Sequence, residues 1–342
     1  MKLDLMTGGL PLRSVQHLAR HAYDAGFAGL VITEAGRTAY LSCAAAALAV
    51  DIELLTGVAV AFPRSPMVTA QTAWELADVS QGRFRLGLGT QVRAHIERRY
   101  SSTFDPPGPR MRDYLLAVRA CFEAFRTGAP LDHHSAHYDL TLLPAMWSPG
   151  PIDAPDPPID LAAVNPWMLR AAGRHADGVH IHPLNSPTYL RNTVLPELTA
   201  GADAAKRSLT DFEIIVPAFI VVGDTTTERA RWRELARMQI AFYGSTPNYA
   251  FIFEQLGHDG ITPALRAHQK AGDIAGMSAV ITDDLLVNFT VEGTWATIAD
   301  AIAERYEGIA TRVVHYFGAI AWTEEPHELN RWRDVTRALA SA

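Results

Sequence analysis

Hydrophobic and polar residues follow two periodicities that alternate along the chain. Short apolar runs, bounded by glycine, proline or polar residues, predict β-strands, and longer stretches with one apolar face predict α-helices. Leu12–Ala25 shows the helical pattern, because Val15 and Leu18 fall on one face and Gly26 follows as a stop signal. Strands that alternate with helices are typical of parallel strands joined by helical connections.

Eight strands and eight helices are predicted in this way. The predicted strands are Lys2–Met6, Gly29–Thr33, Glu53–Ala61, Arg83–Leu88, Ile159–Ala163, Gly178–His182, Phe212–Val222 and Arg312–Phe317. The predicted helices are Leu12–Ala25, Val68–Ser80, Arg110–Arg126, Pro166–Ala176, Pro187–Lys206, Thr226–Tyr243, Thr294–Tyr306 and Glu324–Leu339. This count predicts an α/β fold of the (β/α)8 or TIM-barrel type, with residues 1–342 as one domain.

Two segments interrupt the alternation. Residues 132–158 are rich in proline and contain His133, His134 and His137, so an ordered loop or a small hairpin is expected there. Residues 243–291 carry short helical pieces punctuated by glycine and proline, and they form an insertion between the seventh and eighth strands. In barrels such insertions lie over the C-terminal face and shape the binding pocket.

Composition excludes several classes of function. The formal net charge is −7 and no dense Lys/Arg run occurs, which argues against a nucleic-acid partner. No apolar run approaches the roughly 18 residues of a membrane helix, and no signal-peptide pattern follows Met1. Cys43 and Cys121 make neither a disulfide framework nor a zinc site. We therefore expect a cytoplasmic protein that acts on a small molecule; a homodimer remains open.

The predicted C-terminal ends of the strands are where a barrel carries its chemistry. Three of these ends are rich in glycine and small residues: Thr7-Gly8-Gly9, Glu34-Ala35-Gly36 and Gly89-Thr90-Gln91. Backbone that is exposed in this way lets a flat ligand approach closely. Glu34 follows an apolar strand, so its position alone leaves open whether it caps the next helix or lies in the pocket.

His180 and His182 are two residues apart on the sixth predicted strand, so their imidazoles share one face. A His-x-His pair on a barrel strand binds metal in the amidohydrolases, which need further ligands at other strand ends. Those ends contain no matching set here, so no metal is predicted. His182 is instead expected to be a polar pocket group and His180 a packed residue.

Two stretches of the chain carry a resemblance to a known family. The first runs from Thr56 to Thr90 and contains Pro63-Arg64-Ser65-Pro66 and Ser80-Gln81-Gly82-Arg83-Phe84-Arg85-Leu86-Gly87-Leu88-Gly89; the second runs from Ile159 through Asn165-Pro166 to Ala176-Asp177-Gly178. Together they resemble the luciferase-like monooxygenase family, and specifically its branch that uses the deazaflavin coenzyme F420. The resemblance implies a barrel that binds F420, with FMN as the alternative cofactor.

The resemblance also implies which residues contact the cofactor. Glu34 would lie near the edge of the flavin ring, and a non-proline cis peptide between Ala59 and Val60 would form a bulge behind the ring. The remaining cofactor-binding positions that it implies are Gly89, Thr90, His95, Val164, Asn165, His182, Asn185 and Ser186, the last five of which border the phosphate site. Asn165 takes the place of a glycine, and the helix that starts at Pro166 would direct its free N–H groups at the phosphate.

Two positions depart from the family pattern. The frequent histidine after the acidic residue is Ala35 here, and the glutamate that donates a proton in sugar-phosphate dehydrogenases is Val92. His95 and Glu34 remain as catalytic candidates. His95 would transfer a proton, because the usual pKa of histidine lies near working pH, unless it merely caps the helix that follows. Glu34 would fix the ring.

The predicted function is therefore an F420-dependent oxidoreductase that transfers a hydride between the deazaflavin and a small organic substrate. Three alternatives stay open. They are an FMN-dependent luciferase-like monooxygenase, a metal-dependent hydrolase built on His180 and His182, and a barrel that binds a flavin without catalysis.

Overall fold

A computed structural model describes residues 1–341, in which eight parallel strands close into a barrel. The strands, in chain order, are β1 (Lys2–Gly8), β2 (Gly29–Thr33), β3 (Glu53–Thr56), β4 (Ala59–Val60), β5 (Phe84–Gly89), β6 (His133–His134), β7 (Asp139–Leu140), β8 (Ile159–Ala163), β9 (Gly178–Ile181), β10 (Glu213–Val222), β11 (Thr290–Gly293) and β12 (Arg312–His315). The barrel order is β1, β2, β3, β5, β8, β9, β10 and β12, and β12 pairs with β1 to close the ring. The predicted (β/α)8 fold is confirmed.

Helices surround this barrel and carry apolar faces against it. They are α1 (Leu12–Asp24), α2 (Ala39–Ala47), α3 (Pro66–Val79), α4 (Arg93–Arg98), α5 (Pro107–Thr127), α6 (Pro166–His175), α7 (Pro187–Tyr189), α8 (Leu195–Ala204), α9 (Thr226–Gly244), α10 (Ala250–Glu254), α11 (Ile261–Ala271), α12 (Ile274–Val280), α13 (Asp283–Leu286), α14 (Ile298–Tyr306), α15 (Gly318–Glu324) and α16 (Glu328–Ser341). The pattern failed to predict α2, because its alanine-rich sequence is apolar on every side and shows no amphipathic period.

The third barrel strand differs from its prediction as one continuous run. It breaks after Thr56, and the chain returns to the sheet at Ala59, which pairs with Leu88 of β5. The non-proline cis peptide lies between Gly57 and Val58, so its predicted position between Ala59 and Val60 is wrong. The physical reason is that Ala59 and Val60 already lie in register with β5, whereas Gly57 and Val58 form the bulge outside the ladder.

Side chains that point into the barrel form successive layers, as the two-residue period of a strand requires. The lowest layer, near the N-terminal ends of the strands, contains paired charges. The middle layer is apolar and consists of Met6, Val31, Leu55, Ile215 and Val314. Above it the interior opens into a cavity, so the barrel is sealed at one end and hollow at the other.

The charged layer is centred on Arg312, whose side chain is fully buried. Its guanidinium donates to both carboxylate oxygens of Asp4, each at 2.7 Å, and to Glu53 Oε2 at 2.6 Å. Arg85 makes a similar pair with buried Asp160, at 2.5 and 3.0 Å. Burial opposes the charge on Arg312, but the surrounding carboxylates outweigh it and raise its pKa, so the group stays protonated.

The insertion between the seventh and eighth barrel strands packs on a hydrophobic core of its own. Helices α10 to α12 contribute Ile252, Phe253, Leu265 and Met277 to this core, which continues to Trp232 of α9. The segment ends in β11, which pairs in parallel with the C-terminal half of β10. This arrangement holds the insertion over the open end of the barrel. The earlier irregular segment forms the small antiparallel hairpin of β6 and β7. Among residues 1–341, no helix has the length and apolar character needed to cross a membrane.

Candidate active site

A cavity of about 1850 Å³ occupies the C-terminal end of the barrel. Ligand pockets commonly measure about 300–1,000 Å³, so this cavity has room for a large cofactor together with a substrate. Its walls come from the strand ends, from α4, from the start of α6 and from the insertion. Glu34, Val60, Gly89, Thr90, His95, Val164, Asn165 and His182, all predicted site residues, line it. Ala59, Asn185 and Ser186 do not.

Glycines keep the floor of the cavity low on the side of β3 and β5. A Cβ atom at Gly57 would lie 2.1 Å from Val31 Cγ1, and one at Gly89 would lie 2.6 Å from Val58 Cγ2. At Gly87, beneath the floor, a Cβ would lie 1.9 Å from the Thr56 carbonyl oxygen. A larger residue at any of these positions would collide with its neighbours, so the packing of this wall depends on glycine.

Glu34 lies at the cavity edge, and its carboxylate is held by Arg64. Arg64 donates to both carboxylate oxygens, and the Val60 backbone N–H donates to Oε2 at 2.7 Å. The Glu34 side chain is only 5% exposed. Burial opposes the charge on Arg64, but the hydrogen bonds and the charge of Glu34 together outweigh burial and raise the pKa of Arg64. Glu34 therefore connects the end of the second strand to β4, a contact that sequence reasoning missed.

His95 and Thr90 lie on the wall above β5. His95 is an exposed residue within α4, whose N-cap is Val92, so His95 is not the residue that caps this helix. The Thr90 hydroxyl donates to the Gln91 carbonyl at 3.1 Å. His95 therefore presents an imidazole at the cavity mouth, as a proton-transfer group would require.

The start of α6 forms another part of the wall. Asn165 is its N-cap, and its side-chain oxygen accepts from the Met168 N–H at 3.0 Å. The Asn165 φ angle is −90°, an ordinary backbone geometry that does not require the glycine that the family has at this position. Pro166 has no N–H, and the Met168 N–H is already bonded, so Trp167 carries the remaining free amide of the first turn.

His182 projects into the cavity, whereas Asn185 and Ser186 support the loop beneath it. The Asn185 amide donates to the carbonyls of His182 and Pro217, each at 2.9 Å. Ser186 caps α7 by accepting from the Tyr189 N–H at 3.1 Å. Both residues are buried, so the structure gives them an indirect role in shaping the site.

His180 lies two residues before His182, in the cavity floor. It is 6% exposed, and its Nε2 is 3.8 Å from Asp160. Burial, followed by the nearby charges of Arg85 and Arg312, lowers the pKa of His180 to about 3. Residues 1–341 contain no group of three His, Cys, Asp or Glu side chains arranged to hold a metal ion.

Sequence reasoning missed the aromatic wall on the insertion side of the cavity. Tyr243 of α9, Tyr249 and Tyr316 line it together with Phe242. The position of Tyr316 at the end of the eighth barrel strand could have placed it at the cavity from sequence alone. No pattern in the sequence marks Tyr243 or Tyr249 as cavity residues. Arg266 of α11 also reaches the cavity, and it makes no ion pair within the described chain.

Comparison with known proteins identifies the family. Residues 2–312 match the model of the luciferase-like monooxygenase family. The chain is 37% identical over 303 residues to an uncharacterized protein of Mycobacterium tuberculosis, covering 88% of each chain. It is 27% identical to 5,10-methylenetetrahydromethanopterin reductase of Archaeoglobus fulgidus, again covering 88% of each. The structure of the coenzyme F420-dependent tetrahydromethanopterin reductase of Methanopyrus kandleri superposes with a TM-score of 0.81 at 20% identity, covering 99% of this chain and 98% of that one.

The chain therefore belongs to the luciferase-like monooxygenase family, as its sequence resemblance predicted. Members of this family are oxidoreductases, and both F420 and flavins serve as their cofactors.

Proposed function

We propose that this protein is a coenzyme F420-dependent oxidoreductase that transfers a hydride between the deazaflavin and a small organic substrate. The observation that supports the proposal most directly is the large cavity at the open end of the barrel, in a chain similar to a methanopterin reductase over most of its length. The deazaflavin accepts or supplies a hydride at its ring when it is bound. The protein contributes orientation, polarity and exclusion of water.

The residues that line the cavity fit such a cofactor. The floor exposes backbone at Gly57 and Gly89, which lets a flat ring approach closely. The free Trp167 amide at the start of α6 suits an anionic phosphate. Arg266 adds an unpaired positive charge to the cavity of a protein whose net charge is −7, which favours a ligand with an acidic tail. The same floor would also accept FMN, the alternative cofactor.

We assign two roles at the ring edge. Glu34 accepts hydrogen bonds from Arg64 and from the Val60 N–H, and these bonds would fix β4 beside the bulge against which the ring would rest. His95 would move a proton at its imidazole, since this exposed side chain lines the cavity in which the substrate would bind.

Equilibrium titration tests the cofactor assignment. Purified protein is titrated with F420 and, separately, with FMN while tryptophan fluorescence is followed, because Trp167 lines the cavity. We expect F420 to bind with a dissociation constant in the micromolar range or below and FMN to bind more weakly. Ala162→Leu narrows the cavity and should weaken F420 binding, whereas Ala204→Leu on the exposed surface of α8 should not. Tight binding of FMN without binding of F420 would support the monooxygenase alternative instead.

A further inference from the structure

Two phenols form a hydrogen-bonded pair at the cavity wall. Tyr316 follows β12, Tyr243 belongs to the last turn of α9, and their hydroxyl oxygens are 2.7 Å apart. One hydroxyl donates its hydrogen to the other, so the second hydroxyl retains a hydrogen for a different acceptor. Both residues line the cavity, so the free hydroxyl hydrogen is available to a molecule that binds there.

A neutral imidazole lies beside the pair. The ring centroid of His182 is 4.6 Å from that of Tyr243. The Leu184 N–H donates to His182 Nδ1 at 3.1 Å, and a backbone amide can only donate, so the proton of the neutral ring is on Nε2. Burial lowers the pKa of His182 to about 3, which keeps the ring neutral at physiological pH. His182 Nε2–H therefore offers the cavity a second hydrogen, beside the one hydroxyl hydrogen that the tyrosine pair leaves free.

The surroundings of these three side chains are aromatic. Tyr316 packs edge-on against Phe219 at 4.9 Å, and His182 contacts the ring of Tyr249 at 4.2 Å. Burial raises the pKa of both Tyr243 and Tyr316, so their hydroxyls stay protonated and remain donors. Hydrogen bonds in such a setting of low polarity are stronger than in water.

We propose that Tyr316, Tyr243 and His182 bind one uncharged oxygen atom of the substrate, which makes the substrate a ketone or aldehyde and its product the corresponding alcohol. In that reduction the carbonyl carbon would gain the hydride of the reduced deazaflavin, and the carbonyl oxygen would gain the proton whose transfer is assigned to His95. The proposal rests on the proposed function and deepens it by naming the substrate class. Hydroxyl groups serve both redox states, because a phenol donates to a carbonyl oxygen and accepts from an alcohol. The aromatic side chains of Tyr249 and Phe242 would contact an apolar, ring-containing body of the substrate.

The absence of charge among these donors favours a neutral oxygen over a carboxylate or phosphate. Anionic groups are usually bound by guanidinium or ammonium groups through charge-assisted bonds. The three side chains of this site are all neutral, and the unpaired cation of the cavity, Arg266, belongs to a different helix of the insertion. Neutral donors of this kind match an uncharged oxygen, whereas Arg266 would suit an anionic ligand group.

Infrared spectroscopy of a bound ketone tests the proposal. Acetophenone serves as the probe, and its carbonyl stretch is measured on the protein with and without F420. A carbonyl that accepts a hydrogen bond absorbs at lower frequency, so we expect a shift to lower frequency upon binding to the wild-type protein. Tyr316→Phe and Tyr243→Phe should each reduce the shift and weaken acetophenone binding by about twofold to tenfold, the usual range for one hydrogen bond.

Controls separate this proposal from the cofactor assignment. Tyr306→Phe removes a buried hydroxyl in α14, outside the cavity lining, and should leave both readouts unchanged. The proposal is overturned if the wild-type protein does not bind acetophenone saturably, or if the double variant Tyr243→Phe/Tyr316→Phe gives the same carbonyl frequency. If the F420 assignment is wrong, F420 will not bind. The shift of the acetophenone carbonyl frequency, measured without cofactor, still tests whether the tyrosine hydroxyls donate to the ketone.

Discussion

The two ends of the barrel interior differ in how the same eight strands use their inward-facing positions. At the N-terminal end, Arg312 and Arg85 satisfy buried carboxylates, and the interior is filled. At the C-terminal end, glycines and neutral rings surround a cavity of about 1850 Å³. The filled end supplies a rigid base, and the open end exposes the groups that could bind a ligand.

We infer that residues at the N-terminal end of the barrel mainly stabilise the fold, whereas residues at the C-terminal end mainly serve binding and catalysis. A buried charge pair is costly to break, because the remaining partner stays unpaired in a medium of low polarity. Groups in an open cavity are exposed to solvent or ligand, so their substitution costs little stability. We therefore expect substitutions at the lower end to change the free energy of unfolding and substitutions at the upper end to change binding or rate.

The largest effect is expected from Arg312→Met at the filled end. It leaves the fully buried Asp4 carboxylate without its partner and should lower the free energy of unfolding by about 3–5 kcal/mol, as measured by urea denaturation. The double variant Asp4→Asn/Arg312→Met removes both charges and should recover much of this loss. A change below about 0.5 kcal/mol in the single variant would contradict the stabilising role of the layer.

His95→Ala tests the open end. Since a positioned acid or base contributes about 10²–10⁴-fold to a proton-transfer step, single-turnover hydride transfer should slow by this range. F420 affinity and the free energy of unfolding should remain close to those of the wild type. The matched control is His17→Ala, which removes a different exposed histidine, on α1 and away from the cavity lining. A rate within about twofold of the wild type would show that substrate or water supplies the proton.

Glu34→Gln is expected to affect both properties, because Glu34 connects two strand ends at the cavity edge. Loss of the charge weakens the pair with Arg64, whose side chain is 21% exposed, and should cost about 1–3 kcal/mol of unfolding free energy. F420 affinity should fall as well, since the hydrogen bonds that hold β4 beside the bulge are weakened. The control is Glu97→Gln in the exposed pair with Arg93, where about 0–1 kcal/mol is expected. Equal effects of the two variants would argue against a special role for Glu34.

The smallest effect concerns pH. His180 has a pKa of about 3 in the folded protein and about 6.5 when unfolded, so its contribution to stability is present above pH 6.5 and is lost as pH falls below it. Each such histidine lowers the unfolding free energy by about 1.4 kcal/mol per pH unit in that window. His180→Phe should therefore give a shallower dependence between pH 6.5 and pH 5. An unchanged slope would indicate that folding does not lower the pKa of His180.

Local signals in the sequence predicted most of the fold. The two-residue and helical periods identified all eight barrel strands, because each strand buries apolar side chains whatever its neighbours are. Glu34 and Gly89 were placed at the pocket because they follow predicted strands, and strand ends in a barrel converge on one face. The bulge was placed two residues too late, since no local pattern distinguishes Gly57–Val58 from Ala59–Val60.

By itself, the sequence determined the alternation of elements, the barrel class and the strand ends that face the cavity. Only the tertiary structure decided which side chains meet there. Glu34 pairs with Arg64 at a separation of 30 residues, and Tyr243 meets Tyr316 at a separation of 73. Periodicity reports whether a residue is buried, but partners that are distant in sequence depend on strand register and on how the insertion packs over the barrel.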